Sequence, residues 1–186
     1  YMGVMSGTSL DNIDVVVVGA GHAGVEAVNI ISKLGLTVGL VSMDKKGVGR
    51  MSCNPAIGGV AKGQLVREID LLGGVMGRFA DLSGLQHKML NKSKGRSVWS
   101  PRAQVDKRKY ESLCYDLIVN LKNVIFVEGE VVSIDIVNNK TRGVGLRDGT
   151  KISARSVIIA CGTFLSGTIH IGERKASAGR MGESSS

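Results

Sequence analysis

Ile13–Gly24 reads IDVVVVGAGHAG, and this stretch decides the fold. Val15–Val18 is a β-branched run of strand length, and it leads straight into glycines at 19, 21 and 24, spaced G-x-G-x-x-G. Gly19 permits the tight turn, Gly21 lets the backbone approach a pyrophosphate with no Cβ in the way, and Gly24 lets the following helix pack close to the strand. Ala23, Ala27, Val28, Ile31 and Leu34 then fall on one helical face, with Gly35 as the stop. The N–H groups that open such a helix face an anion. A glycine-rich turn of purely structural use is the alternative; the strand before it and the helix after it favour nucleotide binding.

Working outward, Thr37–Ser42 (TVGLVS) reads as a second buried strand that completes a βαβ unit. Residues 43–63 form a long glycine-containing stretch with Asn54-Pro55 and Gly58-Gly59, and long ordered loops of this kind usually carry function. Gln64–Leu72 is expected to be helical, ended by Gly73-Gly74. Ser100-Pro101 is expected to open a second helix running to about Leu121, with Ala103, Leu113, Leu117 and Leu121 on its apolar face. The period then changes to two: VIFV, EVVSIDIV, TRGVGL and KIS, separated by Asn138-Asn139 and Asp148-Gly149, read as a small antiparallel meander. VIIACGT (Val157–Thr163) reads as a further buried strand ending in glycine. There is no internal repeat, and the only low-complexity segment is the serine tail Ser184–Ser186.

Bulk properties narrow the class. A chain of 186 residues with 43% hydrophobic content supports one α/β core and little more. No apolar run approaches membrane-spanning length, and the first residues lack the pattern of a signal peptide, so a cytoplasmic protein with no membrane partner is expected. Cys53, Cys114 and Cys161 are odd in number and lack C-x-x-C spacing, as expected of reduced thiols, and no metal site is expected. A net charge of +8, from 24 basic and 16 acidic residues, points to an anionic partner larger than a cofactor. With aromatics at only 4%, base stacking cannot be the main mode of any nucleic-acid contact.

A glycine fingerprint on a βαβ unit, followed by a meander and a strand ending Ala-Cys-Gly-Thr, resembles the FAD-binding domain of glutathione-reductase-like flavoproteins. A generic NAD-binding domain would continue with alternating strands and helices. Finer strings carry the resemblance further: GAGHAG (Gly19–Gly24), MSCNPAIGGVAKG (Met51–Gly63), LVREID (Leu65–Asp70), LNKSKG (Leu90–Gly95), PRAQVDKRKY (Pro101–Tyr110) and CGTFLSGTIHIG (Cys161–Gly172). In this order they are similar to the MnmG (GidA) family of FAD-dependent tRNA uridine 5-carboxymethylaminomethyl modification enzymes, from about Asp14 to the last residue.

The resemblance implies an α/β, glutathione-reductase-like Rossmann domain with a small antiparallel meander, here truncated. It implies a reaction at carbon 5 of the tRNA wobble uridine, carried out with the GTPase partner MnmE and a methylene-tetrahydrofolate carbon donor. NADH supplies reducing equivalents through FAD, and the family is homodimeric. Uracil carbon 5 is a poor site for alkylation until a nucleophile adds at carbon 6, so the chemistry needs a positioned nucleophile and a carried electrophile.

Carried over residue by residue, Gly19, Ala20, Gly21, His22, Ala23 and Gly24 match the pyrophosphate loop. Val131 matches a backbone contact to the adenine side, Gly162 and Thr163 lie in the late glycine motif, and Ser186 falls at another FAD contact. The acid usual at the end of strand two, for the ribose hydroxyls, is absent: Ser42 takes that place, with Asp44 as a second candidate.

Cys53 lies in the loop that the resemblance places near the flavin, where a thiolate could add to a carbon or shuttle electrons; a small buried hydrophobe is the alternative. Cys114 reads as helix packing and Cys161 as strand core. His22 reads as a helix-start residue near phosphate and not as a base, while His87 and His170 carry no signal. Lys92, Lys94, Arg96, Arg102, Lys107, Arg108 and Lys109 cluster around the expected helix start. A solvated face is the plain reading and phosphate contact with tRNA or FAD the sharper one, with Arg102, Lys107 and Arg108 as the assigned RNA contacts. Core packing is expected for the lone Trp99.

Two features depart from the family. Tyr1–Asp14 (YMGVMSGTSLDNID) resembles the amino-terminal phosphate loop of anhydro-N-acetylmuramic acid kinases, with Asn12 in place of the kinase glycine. Residues 1–12 are therefore expected to be an extension and 13–186 a partial FAD-binding domain. The family pattern also runs well past Ser186, so a flavin-binding module without turnover is the expectation for this polypeptide alone. An ordinary FAD/NAD oxidoreductase is the other alternative, disfavoured by the lack of a C-x-x-C, and a sugar kinase rests on fourteen residues.

Overall fold

The structure is a computed structural model and describes residues 10–51 and 54–179. β1 (Leu10–Val18) enters α1 (His22–Lys33), and β2 (Val38–Ser42) follows. β-Branched side chains bury both faces of β1, with Val16 and Val17 wholly inaccessible, as expected of a central parallel strand. The buried face of α1 comprises Val25, Val28 and Ile31, and Gly35 adopts a φ of +78° to end it. Leu34, expected on that face, is instead 70% exposed beyond the last turn. β1 reaches back into the stretch read as an extension: Leu10 pairs with Ile152, and a register shift separates it from the Ile13–Ala154 pair.

After β2 the chain makes a long excursion. β3 (Ala56–Gly58) leads to α2 (Lys62–Leu71) and α3 (Met76–Leu82), then β4 (Gly84–Leu90), β5 (Ser100–Val105) and α4 (Lys107–Asn120). The Glu26 carboxylate on α1 accepts hydrogen bonds from the Val75 and Met76 N–H groups, at 3.0 and 2.7 Å, where α3 begins. The expected helix start at Ser100-Pro101 is corrected by the structure. Ser100–Val105 is the middle strand of a three-stranded antiparallel sheet ordered β3-β5-β4, and α4 starts six residues later. Asp106 is its N-cap, accepting from the Lys109 N–H at 3.0 Å. The Pro101 carbonyl accepts from the Gly59 N–H at 2.8 Å, just past the end of β3. The buried face of α4 is Tyr110, Cys114 and Ile118, with Leu113, Leu117 and Leu121 packed at its margin, and Ala103 belongs to β5.

The excursion returns to the main sheet at β6 (Val124–Glu128), and β7 (Val131–Val137), β8 (Lys140–Leu146) and β9 (Lys151–Ile159) complete it. The six strands are ordered β6-β2-β1-β9-β8-β7. This corrects the expected four-strand meander: VIFV pairs parallel to β2, whereas only β7, β8 and the start of β9 form antiparallel pairs. KIS and VII are two ends of one nine-residue strand. The two turns are as expected, with Asn138 and Asn139 both at positive φ and the Thr150 N–H bonded to the Asp148 carboxylate. A hairpin of β10 (Thr168–Ile171) and β11 (Arg174–Ser177) ends the described chain. Two cores sandwich the sheet: one beneath α1, α3 and α4, and one on the opposite face built from Ile13, Val16, Val41, Val144, Leu146 and Ile152.

Candidate functional site

Parallel α/β sheets place ligands beyond the carboxyl ends of their strands, where neighbouring loops part. Here a cleft of about 620 Å³ opens across the ends of β1, β2 and β9 and against the start of β7. Gly19, Ala20, Gly21 and His22 form its floor, Ser42, Met43 and Asp44 one wall, Val131 the far end, and Cys161, Gly162 and Thr163 the other wall. The structure thus brings together every described residue assigned to the cofactor except Ala23 and Gly24, which lie in the first turn of α1 behind the floor.

The three glycines do different work. Gly19 has a φ of +103°, and a Cβ on it would sit 2.5 Å from the Ala160 carbonyl oxygen. A Cβ on Gly24 would overlap the Gly19 carbonyl. Both glycines are therefore required by close backbone packing. Gly21 has an ordinary φ of −68°, and a Cβ there would meet nothing within 4 Å. No side chain caps α1 and no acid sits in its first turn. An open, electropositive helix start facing a cleft fits a diphosphate.

The loop is tied to its neighbours. Gly19 donates to the Val41 carbonyl at 2.8 Å, Ala160 to Val18 at 2.7 Å, and Gly49 to Ala20 at 2.8 Å. His22 packs edge-on against the buried Tyr110, with ring centres 5.6 Å apart, and its Nδ1 is buried without a partner. Burial holds its pKa below the ordinary histidine value, with Lys62 adding to that shift and Glu111 opposing it.

At the end of β2 the Ser42 hydroxyl donates to the Asp44 carbonyl at 3.2 Å. The Asp44 carboxylate accepts from the Lys46 N–H and pairs with Arg50 at 3.0 Å. Glu130, also on the cleft wall, is bridged by two bonds to Arg147, which hold its carboxyl below the usual range. Both carboxylates of this end are thus engaged by arginine, and the Ser42 hydroxyl, donating to Asp44, keeps its oxygen as an acceptor. Arg50 and Glu130 line the cleft but carry no sequence signal of a cofactor role, because only the tertiary fold brings their loops to it, whereas Phe164 and Leu165 follow Gly162 and Thr163 within the late glycine motif.

Other assignments fall elsewhere. Cys161 is not strand core: it follows β9, lines the cleft, and its thiol is pushed up by burial. Cys114 packs as expected, 1% exposed, beneath Gly49, and burial raises its thiol to about 12. Trp99 is at the surface, 37% exposed, its indole N–H bonded to the Lys92 carbonyl and Arg96 above its ring. Arg102 is on β5, outside the cofactor cleft, and Lys107 and Arg108 are exposed on the first turn of α4, Lys107 being 3.9 Å from Glu111. Cys53, Ser186 and residues 1–9 of the kinase-like stretch lie outside the described residues. Among the described residues no cluster of metal-binding side chains occurs and no helix is long and apolar enough to cross a membrane.

A parallel sheet with an open helix N-terminus after its first strand, a cleft of about 620 Å³ across its carboxyl ends and an antiparallel appendage defines a glutathione-reductase-like, FAD-type Rossmann domain. The family described as glucose inhibited division protein A matches residues 14–186, and the chain belongs to that family. The tRNA uridine 5-carboxymethylaminomethyl modification enzyme MnmG of Aquifex aeolicus is 45% identical over 174 residues, covering 94% of this chain and 28% of that protein. Its namesake from Chlorobaculum tepidum is 48% identical over 167 residues, covering 90% and 27%. The crystal structure of Aquifex aeolicus GidA superposes with a TM-score of 0.90 at 45% identity, covering 95% of this chain and 29% of that one. The chain therefore spans less than a third of the length of the relatives it matches.

Proposed function

We propose that this chain is the FAD-holding part of a tRNA-modifying enzyme that, with an MnmE-type GTPase, installs a carboxymethylaminomethyl group at carbon 5 of the wobble uridine. The observation that carries the cofactor assignment is the open position above Gly21, where a Cβ would meet no protein atom within 4 Å, at the mouth of the cleft. The family membership and the printed activity of the relatives support the tRNA assignment. FAD, when bound, supplies the redox half of the reaction, with NADH as reductant and a methylene-tetrahydrofolate as carbon donor. The chain's own residues bind and orient it. With the Gly19 N–H already held by Val41, the turn from Gly21 into the first turn of α1 presents N–H groups to the diphosphate, Ser42 bonds a ribose hydroxyl, the Val131 backbone meets the adenine side, and Gly162 and Thr163 close the opposite wall.

Residues 13–186 are assigned to one cofactor-binding unit and residues 1–12 to an extension, whose last three residues, Leu10–Asn12, join that unit as the start of β1. Cys53 is the assigned nucleophile or electron shuttle, and Ser186 a further FAD contact. Arg102, Lys107 and Arg108 are assigned to RNA phosphates, and the assembled enzyme to a cytoplasmic homodimer. Mass spectrometry of wobble nucleosides tests the whole reading, in a bacterium lacking its own MnmG-type gene and supplied with this chain or with a longer protein carrying it. Restored modification by the longer protein is expected; an unmodified wobble uridine with that protein folded and flavin-loaded would overturn it.

A further inference from the structure

Residues 84–105 contain five lysines and arginines (Lys88, Lys92, Lys94, Arg96 and Arg102) and no aspartate or glutamate. The fold sets two of these cations side by side. In the three-stranded sheet Arg102 stands directly opposite Lys88 on one side and Gly58 on the other. Facing residues of an antiparallel pair project from the same face, and like charges so placed repel. Ile57, Ala103 and Val105 are buried in the core, so alternation assigns Arg102, Gln104, Lys88 and Gln86 to the other face of the sheet. Lys88 and Gln86 are exposed there, and Arg102 and Gln104 half-buried.

None of the five cations forms an ion pair with a described residue. The row of facing residues through Gly58, Arg102 and Lys88 supplies no acceptor. Beyond the strands the same charge continues in a loop that is held in shape. The Trp99 indole bonds to the Lys92 carbonyl at 3.2 Å, Asn91 reaches the Val98 carbonyl at 3.4 Å, and Arg96 lies over the Trp99 ring. A like-charged pair fixed by strand register, in ion-pair contact with no described carboxylate although Asp70 and Asp81 line the same groove, and followed by three further cations in the loop, is a face that favours an anion.

We propose that the polar face of the β3-β5-β4 sheet, with the loop from Asn91 to Trp99, is where the phosphodiester backbone of an RNA strand docks. The occupant follows from charge complementarity with a polyanion and rests on the tRNA reading above. The amides of Gln86 and Gln104 beside the cations supply donors and acceptors for sugar or base edges. Arg102 is set apart from Lys107 and Arg108 by this account: it works with Lys88, on the sheet, while the α4 pair plays the lesser part.

The test measures affinity of the purified chain for a tRNA transcript across a salt series, with thermal midpoints read in parallel. Lys88→Glu creates a cross-strand ion pair with Arg102, so it should raise the midpoint by about 1–3 °C while weakening tRNA binding. A Lys88→Gln/Arg102→Gln double variant should lower the slope of log affinity against log salt by about two. Lys107→Gln/Arg108→Gln should change it less. Inorganic phosphate at matched ionic strength should not displace the tRNA; displacement would mark a site for free phosphate and overturn an RNA strand as occupant. Wild-type binding that Lys88→Glu and the double variant leave intact would overturn the surface and spare the tRNA reading. A wild-type chain that holds flavin but no tRNA at low salt would overturn both.

Discussion

Substituting each glycine of the Gly19–Gly24 turn separates binding from folding. Gly21 has φ −68° and ψ −172°, extended backbone that any residue adopts, and its Cβ direction is empty for 4 Å. Gly21→Val should therefore leave stability within about 0.5 kcal/mol of wild type. In the cleft the same side chain would stand where a diphosphate must approach the first-turn N–H groups. Charge-assisted hydrogen bonds contribute roughly 1.5–3 kcal/mol each, so losing two removes roughly 3–6 kcal/mol, a hundredfold or more in dissociation constant. Gly24→Ala is the opposite case, because its Cβ overlaps the Gly19 carbonyl and α1 must separate from β1. It should lower the thermal midpoint sharply and lose flavin only as a consequence. The assay pairs a flavin-fluorescence titration with a thermal melt for each variant. Gly21→Val protein that binds FAD with wild-type affinity would refute the placement of the diphosphate.

Three further outcomes follow from the same coordinates. Glu26→Ala removes the carboxylate that caps α3, bonded to Val75 and Met76, and should cost about 1–2 kcal/mol in a denaturant titration; an unchanged midpoint would show that water caps α3 equally well. Burial lowers the His22 pKa, so below its ordinary value the unfolded chain binds the proton more readily. Stability should then fall as pH drops through that window, and a His22→Asn variant should lose less over the same range by thermal melting. With its thiol raised to about 12 and 1% exposed, Cys114 should resist a thiol reagent at neutral pH until the protein unfolds. Cys161 on the cleft wall should react slowly and be protected by added FAD, and mass mapping of the labelled peptides distinguishes the two.

The cofactor turn was legible because its determinants are local. A β-branched run, three spaced glycines and an apolar helical face lie within 24 consecutive residues, 12–35. The strands that frame the far end of the cleft were harder to place. VIFV alternates like a meander strand, and only the parallel register with β2, some eighty residues earlier, puts it in the main sheet. β9 reads as two pieces because its first half pairs with β8 as well as with β1, and polar residues occupy its middle. Proline after serine imitates a helix start at Ser100-Pro101, yet the alternation of Ala103 and Val105 and the cap at Asp106 carry the decision. Arg50 and Glu130 reach the cleft from separate loops, a convergence that no local pattern encodes.

The cleft beyond β1, β2 and β9 is assigned to a flavin dinucleotide, and the visible spectrum of the purified protein, with chromatography of whatever heat releases from it, tests that assignment most directly. Oxidised-flavin absorbance with FAD as the released species, or its appearance on adding FAD but not FMN, is the expected result. A folded protein that stays colourless with excess FAD, or takes up FMN equally well, would contradict it.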